Sequence, residues 1–340
     1  KHEVEKEKTV SDYRKNIVRN IYNNMMNSRL EELQKQSNPP YIRVGSGYGR
    51  LVRTKDCYNI YAFVNDNGVL RGLETIIREN ERVKRYGFTK SELEREKKSV
   101  MSYIEKLYNE RNKSESRGYA FEYVRNFLNG EPIPGIEYEY SLYKKYVETI
   151  SLDEVNSLAN KFTTDGENLV VLLMAPEKEG IKLPSDDEIK NLIKKVKEEK
   201  IEPYNDEVVN KPLLSVELKG GKVLSEKKLD KVGVVEWNLS NGATVIFKVT
   251  DYKNDEILFS ASSYGGYSLY PVGEHMTESY AASVVSQNGI GEFNYIQLNK
   301  LLKDKVVSVS PYISEIKEGL RGSSSVKDMK TLFELIYLYF

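Results

Sequence analysis

Apolar and polar positions alternate with clear periods along the first part of the chain. Apolar residues three and four positions apart predict a helix over about 17–33, which Pro39-Pro40 ends. The segments 41–52 and 57–64 predict two strands, and a second helix is expected over 70–87. The region therefore opens as a mixture of helices and strands.

Two local signatures mark the starts of later helices. Thr89 with Glu92, and Ser151 with Glu154, place a hydroxyl and a carboxylate at the spacing of a capping box. Further helices are expected over about 115–128 and 137–146. The continuous apolar run 169–174 predicts a buried central strand.

The composition changes between Pro176 and Leu229. Ser185 and Glu188 form a third capping signature ahead of one amphipathic helix, and the rest of this segment has few large apolar residues. This pattern predicts a connector between two compact regions.

The last part of the chain predicts a second α+β region. Alternating apolar residues flank Asn241-Gly242, which is the strongest two-residue hairpin signal. The elements expected after the hairpin are a strand at 257–262, helices at 276–287 and 294–303, a strand at 306–310 and a terminal helix. The apolar stripe of the terminal helix, from Met329 to Phe340, is followed by no glycine cap or polar tail. We expect this stripe to be exposed and interpret the chain as an excerpt of a longer protein.

The charge balance excludes several classes of partner. Lys plus Arg and Asp plus Glu both number 51, so the formal net charge is zero. A zero balance argues against a nucleic-acid partner, and no apolar run reaches the ~18 residues of a membrane span. Cys57 is the only cysteine, which excludes internal disulfides and a multi-cysteine metal site and suggests a buried thiol.

Candidate chemistry in the sequence is sparse. His2 and His275 are the only histidines, so the chain cannot supply two histidines one helical turn apart. His275 and Glu278 leave a zinc site short of its second nitrogen ligand. The glycines at 45, 47 and 49 lack the spacing of a nucleotide-binding loop, and we expect strand curvature or a close backbone approach there.

Several stretches resemble the long bacterial members of the pitrilysin/insulinase family of zinc metallopeptidases, in collinear order along nearly the whole chain. They include Phe88-Thr-Lys-Ser-Glu-Leu-Glu-Arg95, Tyr123-Val-Arg-Asn-Phe-Leu-Asn-Gly-Glu-Pro-Ile-Pro-Gly-Ile-Glu-Tyr-Glu-Tyr140, Trp237-Asn-Leu-Ser-Asn-Gly242, Gly289-Ile-Gly-Glu-Phe-Asn294 and Val307-Ser-Val-Ser-Pro-Tyr312. Such proteins build a clamshell from two halves, each made of two α+β domains. Their zinc is bound by an inverted His-x-x-Glu-His in the first domain.

The resemblance implies two metallohydrolase-like α/β sandwich domains of the mitochondrial-processing-peptidase type, the second truncated, joined by a helical connector. Residues 1–176 would be the second domain of the N-terminal half, 177–230 the linker between halves, and 231–340 the inactive first domain of the C-terminal half. The family's His, Glu and His would then align with Tyr280, Ser283 and Val284, which cannot replace them.

The resemblance also implies a function. The chain would be a non-catalytic portion of a zinc-dependent endopeptidase, with no catalytic or metal-binding residue of its own and zinc held elsewhere in the longer protein. It would contribute chamber wall and substrate binding, and its partners would be a peptide or protein substrate and the missing N-terminal zinc domain and C-terminal domain. The edge strand predicted at His2, Glu3, Val4 and Glu5 is the candidate substrate-binding segment, acting by strand addition.

A zinc-free scaffold with peptidase-like domains is the alternative. A His-x-x-Glu-His in sequence preceding this chain would favour the peptidase, and its absence there would favour the scaffold. Because bacterial members of the family are often exported, a periplasmic or cell-envelope location is expected.

Overall fold

The computed structural model describes residues 1–163 and 168–340. The chain divides into two compact units, each made of several segments. Unit 1 comprises Lys1–Tyr108, Ser116–Val209 and Glu292–Lys305, and unit 2 comprises Asn109–Glu115, Asn210–Gly291 and Val306–Phe340. The assignment of 1–176, 177–230 and 231–340 to three family domains stays a prediction.

Unit 1 combines one small sheet with most of the helices. Its elements are β1 (His2–Glu3), α1 (Val10–Gln34), β2 (Arg43–Val52), β3 (Lys55–Phe63), α2 (Val69–Tyr86), α3 (Lys90–Asn109), α4 (Ser116–Asn129), α5 (Ile136–Tyr146), α6 (Leu152–Phe162), α7 (Asp186–Glu198), β9 (Phe293–Asn294) and α9 (Tyr295–Leu301). The first three strands form an antiparallel sheet in the order β1-β3-β2. The mixture of helix and sheet, and the helices and strands expected over the first 162 residues, are confirmed.

The core of unit 1 lies between α1, the sheet and the helices α2, α3 and α6. One face of α1 supplies much of it, because Ile17, Ile21, Met25 and Leu30 recur at helical spacing and are buried. From β2, Tyr48 turns toward the same cluster. Burying each large apolar side chain contributes about 1.5–3 kcal/mol, so this face of α1 anchors the unit.

The capping signatures have different outcomes. Thr89 and Glu92 form the complete box: the Thr89 amide donates to the Glu92 carboxylate over 2.7 Å, and the Glu92 amide donates to the Thr89 hydroxyl over 3.3 Å. Ser151 accepts the Glu154 amide over 3.1 Å, but the Glu154 carboxylate binds Arg14 of α1 instead of closing the box. A charged partner from another helix competes successfully with the cap.

The prediction of a buried central strand at 169–174 is wrong. This segment forms no helix or strand, and no strand in the described part of the chain pairs with it. Leu172 and Met174 are 76% and 88% exposed. A strand requires a ladder partner for its backbone, and an apolar run alone does not supply one. Just before this segment, the Asn168 side-chain amide donates to the Lys1 backbone carbonyl.

The first half of the predicted connector is built into unit 1. Val196 of α7 and Ile201 are buried, and Glu199 pairs with Arg78 of α2 over 2.9 Å. The capping box of Ser185 and Glu188 is confirmed. The segment from Asn210 to the next strand contains no helix or strand, and most of its side chains are exposed.

Unit 2 contains two three-stranded antiparallel sheets. Its elements are β4 (Val223–Leu229), β5 (Val234–Leu239), β6 (Thr244–Phe247), β7 (Ile257–Tyr264), α8 (His275–Asn288), β8 (Gly289–Ile290), β10 (Val307–Ile313), β11 (Lys317–Ser324) and α10 (Met329–Tyr339). The sheets have the orders β4-β5-β6 and β10-β11-β7. The hairpin at Asn241-Gly242 is confirmed, with Gly242 at a φ of 86° that favours glycine.

The terminal helix of unit 2 is packed more fully than its sequence suggests. Leu332 and Ile336 of α10 are buried against Leu320 of β11. Phe333 and Phe340 stay exposed, so the expectation of an exposed stripe is wrong for the inner face of the helix and right for its outer face. No helix in residues 1–163 and 168–340 is long and apolar enough to cross a bilayer.

Candidate substrate-binding edge

The predicted substrate-binding segment lies at an edge of the unit 1 sheet. β1 pairs with β3 in antiparallel register, with His2 opposite Asp56 and Glu3 opposite Lys55. Because the sheet order is β1-β3-β2, β3 covers only one side of β1. The other side has no ladder partner among the described strands, and such an edge can accept an added strand.

The side chain of His2 is turned toward aromatic rings of its own unit. Its ring centroid lies 5.6 Å from that of Tyr48 and 6.2 Å from that of Phe162. Burial lowers the pKa of His2, and the nearby Lys161 lowers it further. The imidazole is therefore neutral at pH 7 and packs as an aromatic group.

The carboxylates of this segment are paired within the chain. Glu5 binds Lys161 over 2.5 Å and Arg19 over 3.0 Å, and the hydrogen bond from Lys161 is the main reason why the pKa of Glu5 is lowered. Glu3 pairs with Lys55 across the β1–β3 ladder, and Val4 is half-buried. These side chains therefore contact groups of the same unit. The backbone on the open side of β1 is what remains available to a ligand.

The opposite edge of the same sheet is partly covered by a side chain. Asn27 of α1 accepts the Ser46 backbone N–H over 2.6 Å and donates its amide to the Ser46 carbonyl over 3.0 Å. A side-chain amide thus takes the place of a strand partner near the middle of β2. Gln34 donates to the Ile42 carbonyl just before that strand.

The glycines at 45, 47 and 49 lie within β2 and form no phosphate loop. A Cβ atom on Gly45 would lie 2.7 Å from the Tyr61 hydroxyl oxygen, which is too close. The expectation of a close approach is confirmed at this glycine.

No group of three or more His, Cys, Asp or Glu that could hold a metal ion exists in the part of the chain that the structure describes. Nε2 of His275 lies 2.9 Å from the Tyr270 carbonyl oxygen, and its ring lies against Tyr267. Tyr280 and Val284 are exposed on α8 and offer no imidazole or carboxylate. Cys57 is a half-buried free thiol rather than a buried one.

The sequence did not predict a buried ion-pair network in unit 1. Arg29 of α1 binds Glu92 through Nε over 2.6 Å and Glu79 through Nη1 over 3.3 Å, and its side chain is 1% exposed. The Tyr204 ring lies 4.1 Å from its guanidinium carbon. The sequence contains one indication that Arg29 is buried. Arg29 lies four residues after Met25, which places it on the apolar face of α1.

The network continues at Asp206. Both of its carboxylate oxygens accept from Arg95, over 2.8 and 2.9 Å, and Lys300 lies 3.1 Å away. Burial opposes ionisation of this carboxyl, but hydrogen bonds from Arg95, Ser91 and Lys300 outweigh it and hold the pKa at about 2. These charges compensate each other, so the network offers stability rather than a free acid or base.

No family model matches the chain. Over 85% of its length, it is 28% identical to a zinc protease PQQL-like protein of Arabidopsis thaliana, of which it covers 27%. Over 97% of its length, it is 23% identical to the probable zinc protease PqqL of Haemophilus influenzae, of which it covers 35%. A predicted insulinase family protease from Yersinia pestis shares its fold over 58% of this chain and 42% of that one, with a TM-score of 0.50 and 11% identity.

The resemblance to the pitrilysin/insulinase-type zinc proteases is confirmed, since both relatives above are zinc proteases. The chain spans 27% to 35% of the length of these two relatives. The crystal structure of the periplasmic protease PqqL from Escherichia coli matches with a TM-score of 0.48 and 17% identity and covers 97% of this chain and 36% of that one.

Proposed function

We propose that the chain is a non-catalytic part of a zinc-dependent endopeptidase. One observation carries this proposal: the chain aligns with zinc proteases over 85% to 97% of its length but contains only two histidines. Peptide hydrolysis would then depend on a zinc domain outside these residues. This chain would contribute to the wall of the reaction chamber and to holding the substrate.

The open side of β1 is the proposed contact with a peptide or protein substrate. An extended peptide would add as a strand, because the backbone groups there have no ladder partner in the described structure. Backbone hydrogen bonds give affinity with little sequence preference. His2 and Glu3 of β1, with Val4 and Glu5 directly after the strand, would supply the backbone contact, not a catalytic group.

Zinc, the further domains and the location are proposed for the longer protein. The zinc would lie in a preceding domain with the inverted His-x-x-Glu-His, and a further domain would complete the C-terminal half. The location proposed for this longer protein is the periplasm or the cell envelope. Nothing in the balanced charge of the chain favours a nucleic-acid partner.

An activity comparison tests the proposal. The complete protein encoded by the same reading frame should cleave an unstructured peptide and lose that activity with a zinc chelator, whereas residues 1–340 alone should not cleave it. A complete protein that lacks both zinc and peptidase activity would assign the chain to the scaffold class instead.

A binding measurement tests the β1 edge. Fluorescence anisotropy of a labelled, unstructured peptide should show binding to residues 1–340. Val4→Pro should weaken binding because proline removes a backbone donor and disfavours the ladder. The control Val4→Thr keeps the backbone donor and should bind like the parent chain. Equal binding by the proline and threonine variants would contradict strand addition at β1.

A further inference from the structure

The short helix α9 of unit 1 is held in place by polar contacts. None of its residues, Tyr295–Leu301, is buried. The Lys300 ammonium lies 2.9 Å from the Glu32 carboxylate of α1 and 3.1 Å from the Asp206 carboxylate. It also donates to the Tyr204 hydroxyl over 3.0 Å. The helix therefore lacks the buried apolar face by which most helices in proteins are stabilised.

Both ends of α9 make further polar contacts. At its start, the Tyr295 hydroxyl donates to the Glu31 carboxylate of α1 over 3.1 Å. Just after its end, the Lys303 ammonium lies 3.5 Å from the Glu96 carboxylate of α3 and 3.3 Å from the Ser28 hydroxyl of α1. Two lysines and a tyrosine thus fasten α9 to α1 and α3.

The carboxylates that bind the two lysines of α9 have other donors within unit 1. These donors are Arg95 for Asp206, Tyr204 for Glu32 and Asn24 for Glu96, at distances between 2.7 and 2.9 Å. Separating a buried ion pair is costly chiefly because one charge is left without a partner. That penalty is small here, because these three carboxylates keep a hydrogen bond when α9 leaves.

The space around α9 is incompletely filled. Tyr295, Ile296 and Asn299 line a cavity of about 70 Å³ between α9 and the helices α1 and α3. Ile296 and Gln297 also line a larger cavity of about 280 Å³, whose wall includes Arg29 and Tyr204. Well-packed helices leave few voids larger than a water molecule, so α9 is a loosely fitted cover.

We propose that α9 and the turn after it, residues 295–303, form a lid that detaches from α1 and α3 while the core of unit 1 stays folded. In the closed state Lys300 and Lys303 bind their carboxylates. In the open state both lysines enter water, Glu96 becomes accessible, and the larger cavity loses one wall. Water replaces polar contacts at a small net cost, so the two states differ little in free energy.

Hydrogen–deuterium exchange of residues 1–340 tests the lid. Lys300→Met removes its main fastening, while Asp206 and Glu32 keep their other donors. The amides of α9 should exchange at least about tenfold faster than in the parent chain, whereas those of α1 and α3 should keep their protection. The control Lys98→Met replaces an exposed lysine of α3 and should leave the exchange of α9 unchanged.

Carboxyl labelling separates detachment from local fraying. Glu96 is a suitable reporter because its side chain is 3% exposed and pairs with Lys303 rather than with the substituted Lys300. Its modification by a carbodiimide and an amine should rise severalfold in Lys300→Met. Glu81 of α2, which is also buried, should stay unmodified in both proteins.

Four results would overturn the proposal. Unprotected α9 amides in the parent chain would show that the lid does not close, and equal protection in parent and Lys300→Met would show that Lys300 does not hold it. Faster exchange without labelling of Glu96 would mean that α9 frays in place. Loss of protection in α1 and α3 together with α9, with a lower urea midpoint, would make α9 part of the core.

Discussion

Among single residues, Arg29 has the most constrained environment. Replacing it with methionine leaves Glu92 buried without its cation and Glu79 paired with Arg82 alone. Removing one partner of a buried ion pair typically destabilises a protein by about 3–5 kcal/mol, so Arg29→Met should lower the free energy of unfolding by about that amount. Urea denaturation of the variant and parent measures it.

The control for Arg29 lies on the same helix. Lys15 pairs with Asp12 over 3.0 Å, but its side chain is 58% exposed. Exposed pairs contribute about 0–1 kcal/mol, so Lys15→Ala should barely change stability. Equal losses for the two variants would show that burial does not set the strength of these pairs.

Asp206 predicts an acid-sensitive contribution to stability. Its pKa of about 2 in the folded chain is below its ordinary value of 3.8, so the folded state favours the carboxylate. The resulting stability is present above about pH 4 and is lost as the pH falls toward 2. Asp206→Asn should therefore lose less stability than the parent between pH 4 and 2, in urea titrations at both pH values. A parallel loss in both proteins would exclude Asp206 as a source of acid sensitivity.

At the scale of helices and strands, the sequence predicts where helices begin but not which strands pair. Thr89 and Glu92 predict their cap because both partners lie within one turn of helix. Glu154 departs from the same rule because Arg14, 140 positions away in the chain, binds its carboxylate.

The sequence did not predict the strand β11. Its glycines and charged residues are not typical of a strand, and it forms one because β10 and β7 pair with it on both sides. The sequence predicted that β1 lies at a sheet edge. It did not predict that the His2 ring packs against Tyr48 and Phe162, because only the fold brings these three residues together.

The exposed segment 169–174 predicts rapid amide exchange. Without a ladder partner, its backbone donors should exchange with deuterium far faster than those of β3, which is paired on both sides. Hydrogen–deuterium exchange with peptide mass analysis compares these two segments in one sample. Protection of 169–174 equal to that of β3 would restore the central strand expected from its apolar composition.

For the whole molecule, the division into units predicts the site of first cleavage. Residues 210–222 contain no helix or strand, whereas α7 and Ile201 are packed in unit 1. Limited trypsin digestion should cut first after Lys219 or Lys222 and later within 186–198. Early cutting inside α7 would contradict this boundary.

The histidine content predicts that the whole chain holds no stoichiometric zinc at a tetrahedral protein site. The two histidines are His2, packed among aromatic rings, and His275, bonded to the Tyr270 carbonyl. Metal analysis after dialysis should give far less than one zinc per chain. One tightly held zinc that is lost on His275→Ala would refute the prediction.

The unequal edges of the unit 1 sheet have a consequence for polymerisation. A sheet with two open edges can add strands at both edges and extend without limit, whereas a sheet with one open edge only terminates growth. Asn27 occupies the backbone N–H and carbonyl of Ser46, so a strand added as we propose would find these two groups of β2 already paired. On that proposal β1 is the more open edge, and Asn27→Ala would free Ser46 for strand pairing at the second edge as well.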